Sequence, residues 1–166
     1  RQWLEMRPAS LPAIRSWEIT GGEPARPPKD VTYAVLDTPA GLHGRALSQV
    51  LKQVKRVIVP LAPSLFDILA TRDFLQALRE EKAVRNHDAF VAIVGMRVDA
   101  RTRAAHELER FLADYDLPVL SYLRDTQLYV QAAAHGMTLF DLAPSRTEKD
   151  REQWQPIVDW IESPPS

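Results

Sequence analysis

The chain has 166 residues, 45% of them apolar and 26% charged, with a formal net charge of -1. That length and mix fit one globular domain with its own core, and near-neutrality gives no global attraction to nucleic acid, so such binding needs a local cluster of Arg and Lys. The absence of cysteine excludes disulfides, thiolate catalysis and cysteine-ligated zinc, and no apolar run is long enough to span a bilayer. The start Arg1-Gln2-Trp3-Leu4-Glu5 lacks signal-peptide shape, so the chain reads as soluble and cytoplasmic, with no membrane partner. His43, His87, His106 and His135 are scattered without the close pairing of a metal site.

In chain order, strand-like apolar runs alternate with helical periodicity, the pattern of βαβ crossovers and a parallel sheet. A possible strand at Ser16–Thr20 precedes a Gly/Pro-rich loop, Gly21–Pro28. Strands are expected at Val31–Leu36, Val57–Leu61, Phe90–Met96 and Val119–Leu123, each near-continuously apolar and therefore expected to be buried on both faces. Leu47, Val50, Leu51 and Val54 recur at helical spacing. Ser64 and Asp67 form a capping-box pattern that opens a longer helix, with Ile68, Leu75 and Leu78 inward and Arg79-Glu80-Glu81-Lys82 as a solvated face.

A third helix follows Thr102, burying Ala105, Leu108, Phe111, Leu112 and Tyr115 and ending near Asp116. A short helix from Thr126 to His135 has Gly136 placed as its left-handed C-terminal cap. The last helix opens at Ser145 with Glu148 as capping partner and carries the stripe Trp154, Ile157, Val158 and Ile161, with Pro156 expected to kink it or delay its start. The whole, 1–166, reads as one α/β domain: a mostly parallel sheet with helices on both faces and no internal repeat.

The chemistry-bearing stretch is Tyr33-Ala34-Val35-Leu36-Asp37-Thr38-Pro39-Ala40-Gly41-Leu42. An aspartate ending a buried strand can hold a hydrated magnesium ion against nucleotide phosphates, and a Pro-Ala-Gly turn brings backbone N–H groups close to a phosphate. The structural alternative is that Asp37 caps the following helix and Pro39 starts the turn. The stretch closely resembles the metal-carboxylate strand of the ParA/MinD family of partition and positioning ATPases, and further blocks follow in family order. Arg1–Arg7 looks like the segment after the family's second acidic motif. Val57-Ile58-Val59-Pro60-Leu61-Ala62-Pro63-Ser64, with Asp67, is similar to its strand and Pro-x-x-Pro-Ser element. Phe90–Met96 followed by Arg97-Val98-Asp99-Ala100-Arg101-Thr102 resembles its strand and Asn-Arg-x-x-x-x-Thr segment. Pro118–Asp125, followed by a short helix ending at Gly136, is similar to the element that closes the nucleotide pocket.

The resemblance implies a P-loop NTPase-like fold and an ATP-dependent homodimer that binds DNA without sequence preference. A ParB-like partner would stimulate hydrolysis, and the protein would be nucleoid-associated. It implies ATP and Mg2+ as ligands, with Asp37 as the metal carboxylate, Thr38 and Pro39 shaping the turn and Gly41 offering its N–H toward the γ-phosphate. Met96, Arg97, Arg124 and Asp125 fall near the implied base pocket. Met96 stands where the family usually has an asparagine, and a thioether cannot supply paired hydrogen bonds to an adenine edge. Arg97, Arg101, Arg103 and Arg124 are the implied DNA contacts, salt-sensitive and indifferent to sequence. The alternative for these arginines is weak surface ion pairing with Asp99, Glu107 or Asp125.

A phosphate-binding P-loop needs Gly-rich backbone followed by Lys, and no Gly-Lys pair occurs among Gly21, Gly22, Gly41, Gly44, Gly95 and Gly136. The expectation is therefore the carboxyl-terminal part of a longer ATPase: a hydrolase as the full-length parent, with no catalytic residue in, and no activity from, this portion alone. Lacking the P-loop strand, the sheet should show unpaired apolar edges. The alternative function is a non-catalytic α/β interaction module that retains the fold without nucleotide chemistry. A flavodoxin-like receiver is more remote, because no acidic cluster marks an early strand end.

Overall fold

Phe90–Gly95 (β2) is the centre of the architecture. It pairs in parallel with Arg56–Leu61 (β1) on one side and with Val119–Tyr122 (β3) on the other, giving a three-stranded sheet in the order β1-β2-β3. The computed structural model describes residues 2–17, 27–39 and 41–164. Its helices are α1 (Gln2–Glu5), α2 (Gly44–Leu51), α3 (Leu65–Glu80), α4 (Lys82–Arg85), α5 (Arg103–Ala113), α6 (Gln127–Ala133) and α7 (Pro144–Glu162), with a 3-10 turn at Leu139–Asp141.

Each crossover begins where the sequence carries a cap. The Ser64 hydroxyl accepts from the Asp67 N–H at 3.1 Å, Thr102 from Ala105 at 3.2 Å and Thr126 from Leu128 at 3.3 Å, so α3, α5 and α6 start as the spacing predicts. The larger core lies on one face of the sheet. Val59, Leu61, Val91 and Ile93 pack there against Leu47 and Leu51 of α2, Leu75 and Leu78 of α3, and Leu108 and Leu112 of α5. On the other face Val94 and Leu123 meet Ile157 of α7, with Met96, Leu120 and Trp154 at the margin. Helices thus cover both faces of a parallel sheet. Gly136 has φ +64°, the expected left-handed cap, and a Cβ there would stand 2.5 Å from the backbone of Met6 and Arg7.

Five expectations need correction. Residues 31–36 are not a strand: Tyr33 and Val35 are 61% and 83% exposed, and no strand of the described residues pairs with them. Alternating apolar residues supply a strand's side chains, but a strand also needs a neighbour for its main chain. Asp37 consequently does not end a buried strand, and it does not cap α2 either, because α2 starts at Gly44 with His43 as its N-cap residue. The last helix begins at Pro144, an N-terminal position suited to proline, and has no Ser145–Glu148 box; it continues through Pro156 to Glu162. Glu81 is not simply solvated, since its carboxylate accepts from the Ser48 hydroxyl at 2.8 Å and ties α2 to the α3–α4 corner. Ser16 and Trp17 are not in a strand; the rest of the expected first strand and most of the Gly21–Pro28 loop lie outside the described residues.

β1 is one of the two edges of the sheet. Lys55 and Leu61 accept hydrogen bonds from Phe90 and Met96 at 2.9 and 2.8 Å, so the odd-numbered residues of this stretch turn their main-chain groups toward β2. Arg56, Ile58 and Pro60 therefore turn theirs away, and among the described residues no strand meets them. The Pro60 ring, which lacks an N–H, sits where an edge tolerates it. The Arg56 guanidinium lies 4.7 Å from the centre of the Trp160 ring and bonds Ser163, fastening the start of β1 to the end of α7.

A buried ion pair holds the amino-terminal segment. The Arg7 guanidinium reaches Asp141 at 2.9 Å with both side chains nearly covered, and also donates to the carbonyls of Gly136 and Pro12. Asp141 further accepts from the N–H and hydroxyl of Thr138, both at 2.7 Å. The Arg7 hydrogen bonds hold its carboxyl down at about 2. A folded-state value below the unfolded one, about 4 for Asp, contributes stability that is complete above pH 4 and is lost as pH falls through about 2. Denaturant titrations between pH 5 and pH 2 should show this loss, on the order of 1 kcal/mol, and Asp141→Asn should be less stable at neutral pH but flatter across that window.

Candidate functional site

In an open parallel sheet the carboxyl ends of the strands collect the loops that bind ligands. That edge carries three of the blocks singled out in the sequence. Pro63 and Ser64 follow β1 and open α3, Met96 and Arg97 follow β2, and Arg124 and Asp125 follow β3 and precede α6. The register aligns them: the Met96 N–H bonds the Leu61 carbonyl at 2.8 Å, and the Leu123 N–H bonds the Gly95 carbonyl at 2.8 Å. The Tyr122 ring covers Gly95, where a Cβ would collide with it. Burial pushes the Tyr122 phenol up from its ordinary range, with Glu109 adding to the effect.

Arg97 leaves β2 with φ +56°, a left-handed backbone unusual for a residue with a Cβ. Its guanidinium reaches Asp125 at 3.3 Å, so the structure brings together two of the predicted base-pocket residues as an exposed ion pair. Arg124, next in chain to Asp125, turns inward instead. Its guanidinium grips Asp150 of α7 through two bonds of 2.7 and 2.8 Å, and Asp150 is completely buried. The Arg124 N–H donates to Gln153 at 3.1 Å, while Trp154 donates to the Tyr129 hydroxyl at 2.9 Å on the same side. The hydrogen bonds to Asp150 raise the Arg124 pKa, and burial raises that of Tyr129.

The remaining arginines hold their own acids. Arg101 bonds Asp99 through its side chain and its N–H, which holds the Asp99 carboxyl down at about 2. Arg103 lies 3.8 Å from Glu107, which Arg110 contacts at 2.6 Å. These are the pairings expected of surface helix ends, and each contributes little on its own. Arg97, Arg101 and Arg103 nonetheless stay 72 to 93% exposed, whereas Arg124 does not.

Among the described residues, Asp37, Thr38, Pro39 and Gly41 are not bonded to this edge cluster. Asp37, Thr38 and Pro39 are exposed, Gly41 has φ +75°, and the Gly41 carbonyl meets the His43 imidazole Nδ1 at 2.6 Å. Among the described residues no hydrogen bond or ion pair joins Asp37 to Arg97, Arg124 or Asp125, and no group of three acidic or histidine side chains could cage a metal. A single exposed carboxylate suits a hydrated magnesium ion whose other ligands are waters and phosphates, and it suits no cation that needs a full protein cage. The chain matches no protein-family model and no curated protein.

Asp150 is the residue that the sequence reading missed. The signal was present, because Thr147, Asp150, Trp154, Ile157 and Ile161 follow helical spacing, placing an acid inside an apolar stripe. Such an acid has to be paired. Removing either partner should expose the asymmetry of the pair: Arg124→Ala strands a fully buried carboxylate and should cost about 3–5 kcal/mol, whereas Asp150→Ala lets the partly exposed guanidinium turn to water and should cost less. Urea denaturation of both variants measures the difference.

Proposed function

We propose that this chain is the switch portion of a ParA/MinD-type ATPase, working as a homodimer with ATP and Mg2+ and binding DNA without sequence preference. One observation carries the reading. The Pro63-Ser64, Met96–Thr102 and Arg124-Asp125 blocks, which follow one another in the family's order, occupy the carboxyl ends of three successive parallel strands. Bound nucleotide and magnesium supply the transferable phosphate and its counter-charge. For this chain's part, Asp37 offers one carboxylate to a hydrated ion, and the left-handed Gly41 backbone leaves room for close approach of a phosphate. The exposed Arg97–Asp125 pair flanks the edge where a base would lie. Arg97, Arg101 and Arg103 are exposed enough to reach a phosphate backbone; Arg124 serves the fold through Asp150. A ParB-like activator and nucleoid association belong to the same proposal.

Equilibrium binding of a fluorescent ATP analogue to the native polypeptide that carries this chain tests it. Binding should require Mg2+, and Asp37→Ala should weaken it about tenfold in Mg2+ while leaving metal-free binding unchanged. Absence of any magnesium-dependent binding rejects the ATPase reading. DNA affinity should fall with rising salt, and Arg101→Ala combined with Arg103→Ala should flatten the logarithmic slope by about 1–2.

A second reading, a non-catalytic interaction module of cytoplasmic partners, is favoured by Met96 at the base position and by the commitment of Arg124 to Asp150. It expects no magnesium-dependent nucleotide binding and indifference to Asp37→Ala.

A further inference from the structure

A groove of about 690 Å³ runs between α3 and the end of α5, and none of its lining residues belongs to the sheet. Arg72, Gln76, Arg79 and Glu80 of α3 form one side; Phe111 and Tyr115, whose rings lie 4.9 Å apart, form the other with Asp114. Two guanidinia face two carboxylates, so the groove has no net charge and selects a partner by where its charges lie. A charge on a helix surface ordinarily finds its opposite three or four residues away, as Arg103 and Arg110 of α5 both find Glu107. On α3 this fails: no opposite charge stands three or four positions from Arg72, Asp73, Arg79 or Glu80. Arg72 reaches only its neighbour Asp73, at 3.2 Å and in water, and Arg79 and Glu80 have no ion pair among the described residues. Glu80 also lies at the carboxyl end of α3, where the helix dipole disfavours an anion.

The order of these charges is self-complementary. Counted outward from Gln76, Arg72 stands four residues before it and Glu80 four after, while Asp73 stands three before and Arg79 three after. Turned end for end, α3 therefore sets each charge against its opposite. We propose that the groove takes α3 of a second copy of this chain, antiparallel about a two-fold axis at Gln76. Arg72 of each copy then meets Glu80 of the other, and Arg79 meets Asp73, which lies beside the groove rather than in it. A partner of other sequence would need the same alternation of charge; this chain already carries it. Phe111 and Tyr115 are half-buried in the single chain and supply aromatic surface for the second helix to cover. A two-fold contact repeats every pair, so each contributes twice. This association uses no strand end and no nucleotide, and it stands apart from the ATP-dependent dimer proposed above.

Sedimentation of the chain over a concentration series, without nucleotide, should show a monomer–dimer equilibrium that weakens as salt rises. Arg72→Glu and Glu80→Arg each set like charges together at both ends of the contact and should weaken dimerisation about tenfold. Both residues are exposed, so neither change disturbs the core. The double variant Arg72→Glu/Glu80→Arg restores opposite pairs and should return the affinity to within about twofold of the parent. Because the chain has no cysteine, Gln76→Cys introduces a single thiol on the axis and should give a disulfide-linked dimer on mild oxidation. Glu80→Cys should not, since its two copies lie about 12 Å apart along the helices. The proposal is overturned by a chain that sediments as a monomer throughout, by single variants that associate as the parent does, by a double variant that is not restored, or by linkage at Glu80→Cys and not at Gln76→Cys.

Discussion

The main-chain pairing of β2 on both of its sides is the constraint on which everything else rests. Ala92 and Ile93 are wholly buried, and every residue of Arg56–Leu61 finds its register against 90–95. Parallel strands cannot be joined by tight turns, so each must be followed by a crossover, and each crossover begins at the same end of the sheet. That is why Ser64, Arg97 and Arg124 become neighbours of one edge despite lying tens of residues apart. The Arg97 backbone, left-handed immediately after the central strand, stores a little local strain at that edge.

Buried charge organises what the sheet leaves over. Two arginines, Arg7 and Arg124, each reach a well-covered aspartate distant in sequence. The first fixes the chain leaving α1 against the 3-10 turn; the second fixes the loop after β3 against α7. A buried pair of this kind is a weak source of net stability compared with apolar packing, but it penalises any arrangement that separates the partners. The exposed pairs around α5 differ in kind. Their acids are two to four residues away and in water, so they shape the local potential without holding the fold.

Much of this was legible in the amino-acid sequence, for identifiable reasons. The runs expected at Val57–Leu61, Phe90–Met96 and Val119–Leu123 became the strands Arg56–Leu61, Phe90–Gly95 and Val119–Tyr122 because apolar runs bounded by caps leave few other options, and Ser64, Thr102 and Thr126 started helices because their hydroxyls satisfy orphan N–H groups. Val31–Leu36 has a similar composition and failed, since a strand's existence depends on a partner that local pattern does not encode. Arg124 looked like a ligand group from its place in the chain, yet its role was set by Asp150, and only tertiary packing pairs them. At the candidate site, the Arg97–Asp125 proximity was anticipated, whereas an exposed Asp37 off any strand end was not.

Pro60 has a consequence for the solution behaviour of a chain with an open apolar edge. Fibre growth by edge-to-edge stacking requires each added strand to be bonded along its length and to present a fresh ladder to the next. On β1 that ladder stops short, because the outward position nearest its carboxyl end has no N–H to give. The edge can therefore complete one short pairing but is a poor template for an endless one, which favours dispersed molecules over fibrils even where Ile58 and Val35 meet water.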